Sequence, residues 1–167
     1  DAAYTDYAYE LVTAVSYDKN TNKWVSLEGW PIKVEDVISE PIIGDVNGDS
    51  YPDVLVSLSG NKILAFDHKG DLIQGFPKYT DPEESGVWLI LDDIDNDKDV
   101  DLIASSRWRR EKKVYIWDLK TSYDKSTMDW PMYQHDPQHT GCYYCNAPHP
   151  IPITPQSKVV NKENQDI

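Results

Sequence analysis

Short stretches of alternating apolar and polar residues recur along the chain between turn-rich clusters, and no long segment repeats its apolar positions every 3.6 residues. The pattern predicts strands and little helix. Residues 1–8 are mixed and specify no element. Residues 9–17 alternate imperfectly as a strand, Asp18-Lys19-Asn20-Thr21-Asn22 forms a turn cluster, and residues 23–27 return as a second strand ending in Gly29-Trp30-Pro31. A second unit repeats the theme: a strand over 62–66, the turn Asp67-His68-Lys69-Gly70, a strand over 71–74, then Gly75-Phe76-Pro77. A third has a strand over 113–117, a longer turn from 118 to about 126, and Asp129-Trp130-Pro131. The aromatic-Pro pairs are 46 and 54 residues apart, which is the spacing of propeller blades rather than of solenoid helices.

Ahead of the second and third hairpins lie two acidic stretches. Residues 93–101 read Asp-Ile-Asp-Asn-Asp-Lys-Asp-Val-Asp, with a carboxylate at every odd position, and an apolar strand follows at 102–104. So many like charges repel unless a cation sits among them. Oxygens at positions 1, 3, 5 and 9 of a tight loop, closed by the carbonyl of position 7, make a site for a hard cation, and their number suits calcium better than magnesium. Residues 45–53, Asp-Val-Asn-Gly-Asp-Ser-Tyr-Pro-Asp, repeat the pattern 48 residues earlier and run into Val54-Leu55-Val56. Each loop is entered from a short apolar strand, over 41–44 and 87–91. The expected unit is therefore four antiparallel strands in about 45 residues with a metal loop between the first two.

Composition supports a folded, soluble, β-rich chain: 167 residues, 40% hydrophobic, with 11 Tyr, 6 Trp and 11 Pro. The formal charge of -13 argues against nucleic acid or an anionic membrane surface as partner. The one basic patch, Arg107, Arg109, Arg110, Lys112 and Lys113 around Trp108, is expected to be a solvated hairpin turn. Two divalent ions would bring the charge to -13 + 4 = -9, leaving an acidity suited to an extracellular surface. The longest apolar run, over 87–91, falls far short of the roughly 20 residues of a membrane helix, so no membrane insertion is expected. The start at Asp1 without an apolar leader suits a processed product or a fragment.

The texts DVNGDSYPDVLV (45–56) and DIDNDKDVDLIA (93–104) resemble FG-GAP/VCBS repeats, the calcium-loop β-propeller blades also found in integrin α chains. The resemblance covers roughly residues 9–141. It implies Asp45, Asn47, Asp49, Tyr51 (by its carbonyl) and Asp53 around one Ca²⁺, and Asp93, Asp95, Asp97, Asp99 (carbonyl) and Asp101 around a second. Position 6, commonly Gly in the family, is Ser50 and Lys98 here. The run from Trp130 to Gly141, WPMYQHDPQHTG, resembles the end of the last blade in secreted proteins of this type. An EF-hand needs Glu at position 12 and flanking helices, but Val56 and Ala104 stand there between predicted strands.

The expected organisation is a partial blade and link at 1–39, a blade with the first loop at 40–86, a blade with the second loop and terminal motif at 87–141, and a Pro-rich, then polar, tail at 142–167. Two and a half blades do not close a propeller, which needs at least four. Another polypeptide, or copies of this chain, is therefore expected to complete the array. His135, His139, Cys142 and Cys145 have the spacing of a zinc site. The same cysteines fit a local disulfide or pairing with another chain, the readings an exported protein favours. No nucleophile elbow, H-E-x-x-H or phosphate loop is present, and Glu83-Glu84 belongs to an inter-blade link. The function expected is non-catalytic association or adhesion at the cell surface. The alternatives are the non-catalytic C-terminal part of a secreted hydrolase or lyase, and a glycan-binding propeller using Trp108 and Tyr79.

Overall fold

The computed structural model describes residues 9–37, 39–81, 87–108 and 111–143, with side chains at all of these except 9, 106–108, 111 and 112. The Glu83-Glu84 link, Arg109, Arg110, Cys145 and the tail beyond 143 lie outside the described residues, as do the side chains of Arg107, Trp108 and Lys112. Within them the chain is all-β, as its alternation predicts. Four small antiparallel sheets form, none closed, with a single 3-10 turn at Lys125–Thr127. No helix among the described residues is long and apolar enough to cross a membrane.

β1 (Tyr9–Val12) pairs with β4 (Ile32–Glu35), and β2 (Val15–Asp18) pairs with β3 (Lys23–Ser26) as a separate hairpin. β5 (Ile42–Gly44), β6 (Asp53–Leu58), β7 (Lys62–Phe66) and β8 (Lys78–Tyr79) lie in that order in one four-stranded sheet. β9 (Trp88–Asp92), β10 (Asp99–Trp108) and β11 (Glu111–Ser122) form a three-stranded sheet in the order β11-β10-β9.

Three boundaries depart from the sequence reading. The strand expected over 9–17 is broken at Thr13-Ala14, so that β1 and β2 serve different sheets. The fourth strand of the middle unit lies at Lys78–Tyr79, after Pro77, while 71–74 contributes a bridge between Phe66 and Leu72 and a hydrogen bond from Ile73 N–H to Ala65 O, without forming a strand. Proline has no N–H to give the ladder, so the strand starts beyond it, as β4 starts after Pro31. In the third unit the expected turn from 118 is strand as far as Ser122, because Asp99 at the end of the acidic loop pairs with it across a bulge. No fourth strand joins that sheet among the described residues. Trp130 instead exchanges two 2.8 Å backbone hydrogen bonds with Ile43, and Leu91 N–H donates to Pro131 O, also at 2.8 Å. The chain thus runs between the first strands of two sheets.

Alternation gives the β5–β8 sheet two apolar faces. Ile42, Leu55, Ile63 and Ala65 on one face of β5–β8 pack with Leu89, Leu91, Leu102 and Ala104 of the third sheet. Val56, Leu58 and Phe66 on the opposite face pack with Val12, Trp30 and Val34. Space between the sheets is tight: a Cβ at Gly44 would lie 2.7 Å from Met128 Sδ and 2.8 Å from Leu91 Cδ1. Leu102 is fully buried at this junction. Leu102→Ala is expected to destabilise the fold by about 2–5 kcal/mol through lost transfer energy and a cavity. A lower denaturant midpoint with an unchanged slope checks this.

Candidate metal centre

Each acidic loop connects two paired strands, so its ends are fixed by a ladder. Gly44 is opposite Asp53 in the first hairpin, and Asp92 is opposite Asp101 in the second. The loops fold alike, because their side-chain oxygens accept from their own backbone. Val46 N–H donates to Asp53 Oδ2 (2.8 Å), Asp49 N–H to Asn47 Oδ1 (2.9 Å), Ser50 N–H to Asp45 Oδ2 (2.8 Å) and Tyr51 N–H to Asp49 Oδ1 (2.8 Å). The second loop repeats all four at the same positions: Ile94 N–H to Asp101 Oδ2 (3.1 Å), Asp97 N–H to Asp95 Oδ1 (3.1 Å), Lys98 N–H to Asp93 Oδ2 (3.2 Å) and Asp99 N–H to Asp97 Oδ1 (2.9 Å). Position 6 has a left-handed backbone in both, at Ser50 (φ 66°) and Lys98 (φ 75°). That is the conformation in which glycine is least strained. Ser50 and Lys98 adopt it nonetheless.

In the second loop Asp93, Asp95 and Asp101 each present an oxygen within 4.8 Å of the others. Asp101 is buried, and Asp93 Oδ1 is a buried oxygen with no hydrogen-bond partner. Burial raises the Asp101 carboxyl above its usual value against the Ile94 N–H, and the charges of Asp95, Asp118 and Asp97 add to the rise. Three hard oxygens gathered within 4.8 Å, one of them unpartnered, could serve as part of a divalent cation's donor set. The remaining expected side-chain ligand, Asp97, stays close enough to add to the charge felt by Asp101. The carboxylates of Asp97 and Asp99 gather with Asp118, a residue the sequence reading left in a turn. β-ladder register brings Asp118 opposite Asp101, and only alternation along an extended β11 could have signalled it. A hydrogen bond from Lys120 holds the Asp118 carboxyl below its ordinary value. Asp99 was expected to act through its carbonyl, so its carboxylate is free to point elsewhere.

The first loop has an amide where the second has Asp95. Asn47 Nδ2 lies 3.3 Å from both Asp49 Oδ2 and Asp53 Oδ1, linking the two carboxylates that a cation would also attract. Asp45 and Asp53 are buried. Burial pushes the Asp53 carboxyl up to about 7, against the Val46 N–H and with help from the charges of Asp49 and Asp45. Tyr51 stacks on His68, with ring centroids 4.4 Å apart and 28° between the planes. Thr121 Oγ1 on β11 donates to Val46 O at 2.9 Å, so the loop also touches the third sheet.

The alternative constellation does not assemble as a metal site. Cys142 is disulfide-bonded and therefore offers no thiolate. His139 Nδ1 lies 3.3 Å from Tyr133 O, and His135 packs between Trp130 and Tyr143. No protein-family model matches the chain, and neither does any curated protein or solved structure.

Proposed function

We propose that the chain is a calcium-stabilised, non-catalytic run of propeller-like blades from a secreted or cell-surface protein, working by association with another polypeptide. The observation that carries this is the second loop's buried, partnerless Asp93 oxygen beside Asp95 and the buried Asp101. Like-charged oxygens held this close repel unless a proton or a cation neutralises them, and a divalent cation does so for several at once. Asp45, Asn47, Asp49 and Asp53 with the Tyr51 carbonyl would hold one Ca²⁺, and Asp93, Asp95, Asp97 and Asp101 with the Asp99 carbonyl the other. The ion supplies charge neutralisation and a fixed turn between the first two strands of each unit. Its role is structural, because carboxylates held ionised by a cation are poor general acids.

Terbium luminescence tests the site directly, since the loops lie close to Tyr51 and Tyr123, whose excitation sensitises a bound lanthanide. Emission is expected on adding Tb³⁺, with displacement by calcium at concentrations of about 0.1–1 mM, the range of extracellular modules. Magnesium, which demands a tighter octahedron, is expected to displace it far less well. Absence of sensitised emission, or equal displacement by magnesium, contradicts the reading.

A further inference from the structure

Aligning the two acidic loops puts Ile90 and Ile103 at the positions of Ile42 and Leu55. The ladders extend the match. Leu55 pairs with Ala65 and Ser57 with Ile63 in one sheet, as Ile103 pairs with Ile116 and Ser105 with Val114 in the other. Both sheets therefore carry the same apolar face. In β5–β8 it is buried under the third sheet, with Ile42 2% exposed and Leu55, Ile63 and Ala65 at 0%. In β9–β11 the equivalent Val114 and Ile116 are 63% and 53% exposed, with Trp88 at 49% beside them. β11 is also the sheet's edge, since it pairs only with β10 among the described residues.

The packing between sheets runs in one direction. The Val12 and Val34 face of β1–β4 covers one side of β5–β8, and the other side of β5–β8 covers the third sheet. Among the described residues no sheet covers either end, although Tyr133 packs on Trp88 and Met132 bridges to Ile90 at one side of the far face. At the far end stands the open face of β9–β11. At the near end Leu11 on the outer face of β1 is 64% exposed, and the β2–β3 hairpin exposes Trp24 (70%) in edge contact with Tyr17 (44%). A two-stranded hairpin with no buried face is marginal alone.

We infer that this chain associates head to tail with a second copy of itself, the Val114, Ile116 and Trp88 face of one copy receiving the Leu11, Tyr17 and Trp24 end of the next. This rests on the reading of the chain as a run of stacked sheets. The contact would extend the sheet-on-sheet packing already made twice within the chain. Such a heterologous contact closes into a ring or extends, according to its rotation. With -13 formal charges per copy, association is opposed by repulsion that salt screens and calcium reduces.

Sedimentation equilibrium of the full chain in 5 mM calcium tests this. The expected mass rises above 19.1 kDa with concentration, and more so in added salt. Val114→Glu/Ile116→Glu and, separately, Trp24→Glu are each expected to weaken self-association at least about tenfold, since a charge would be buried in an apolar contact. Their melting in calcium is expected to match the parent, showing that they fold. Mixing the two variants should restore one-to-one pairs, because each retains the half the other lost. A mass of 19.1 kDa at all concentrations, wild-type association of either variant, or no pairing on mixing overturns the inference. A monomer that still gains stability from calcium counts against this inference alone. Self-association without any calcium effect counts against the proposed function and leaves the docking face standing.

Discussion

Transfer of the protein from 10 mM calcium to excess EGTA is expected to lower its melting temperature by about 10–20 °C. Each ion stabilises by its mass action on the folded state. At a dissociation constant of about 0.1 mM, ten millimolar calcium is about a hundredfold excess, worth about 2.7 kcal/mol a site. Two sites give about 5 kcal/mol, and a chain of this size shifts by about 2–4 °C per kcal/mol. The loops also sit where loosening propagates. Thr121 ties the first loop to β11, and Tyr123 N–H donates to Lys98 O of the second at 2.7 Å. An unneutralised loop therefore slackens the junction between the middle and third sheets, which the Leu102 core fills. Superimposable melting curves in calcium and EGTA would remove the basis for the assignment.

The second large effect is on pH dependence, and calcium reverses its sign. In the metal-free protein the Asp53 carboxyl, raised from 3.8 to about 7 by burial, keeps a proton that the unfolded chain has already lost. Between about pH 4 and 7 the folded state holds more protons than the unfolded one, so stability falls as pH rises and levels off above 7. The fall is on the order of 2–4 kcal/mol, and Asp101 contributes in the same direction. Calcium needs the ionised carboxylate, so its stabilisation grows over the same window and is lost towards acid. Urea titrations from pH 5 to 8 should show metal-free and calcium-loaded curves diverging upward in pH. Asp53→Asn is expected to flatten the metal-free slope, raise metal-free stability at pH 8 and remove about half of the calcium response. A metal-free protein that is most stable at pH 8, with Asp53 intact, contradicts this.

Local features of the structure were legible in the sequence, and non-local ones were not. The acidic loops and their flanking strands depend on residues within a dozen positions of one another, and the alternation of Asp45, Asn47 and Asp49 or Asp93, Asp95 and Asp97 specifies the turn directly. Of the aromatic-Pro pairs, Trp30-Pro31 and Phe76-Pro77 each precede a strand, β4 and β8. What escaped was set by pairing across long separations. β8 and β4 begin after their prolines because a ladder partner lies there, and β11 extends to Ser122 because a bulge at the loop's end allows Asp99 to reach it. Asp118 enters the acidic cluster by the same register. The crossing of Trp130 to Ile43 replaces the expected fourth strand, and no local pattern announces it.

The most direct test of the central claim is the number of calcium ions taken up, measured by isothermal titration calorimetry on the metal-free chain at pH 7.5. The proposed function expects about two ions per chain, falling to about one in Asp53→Asn and about one in Asp101→Asn. A chain that binds no calcium at millimolar concentration, or whose uptake is unchanged by both substitutions, contradicts the claim.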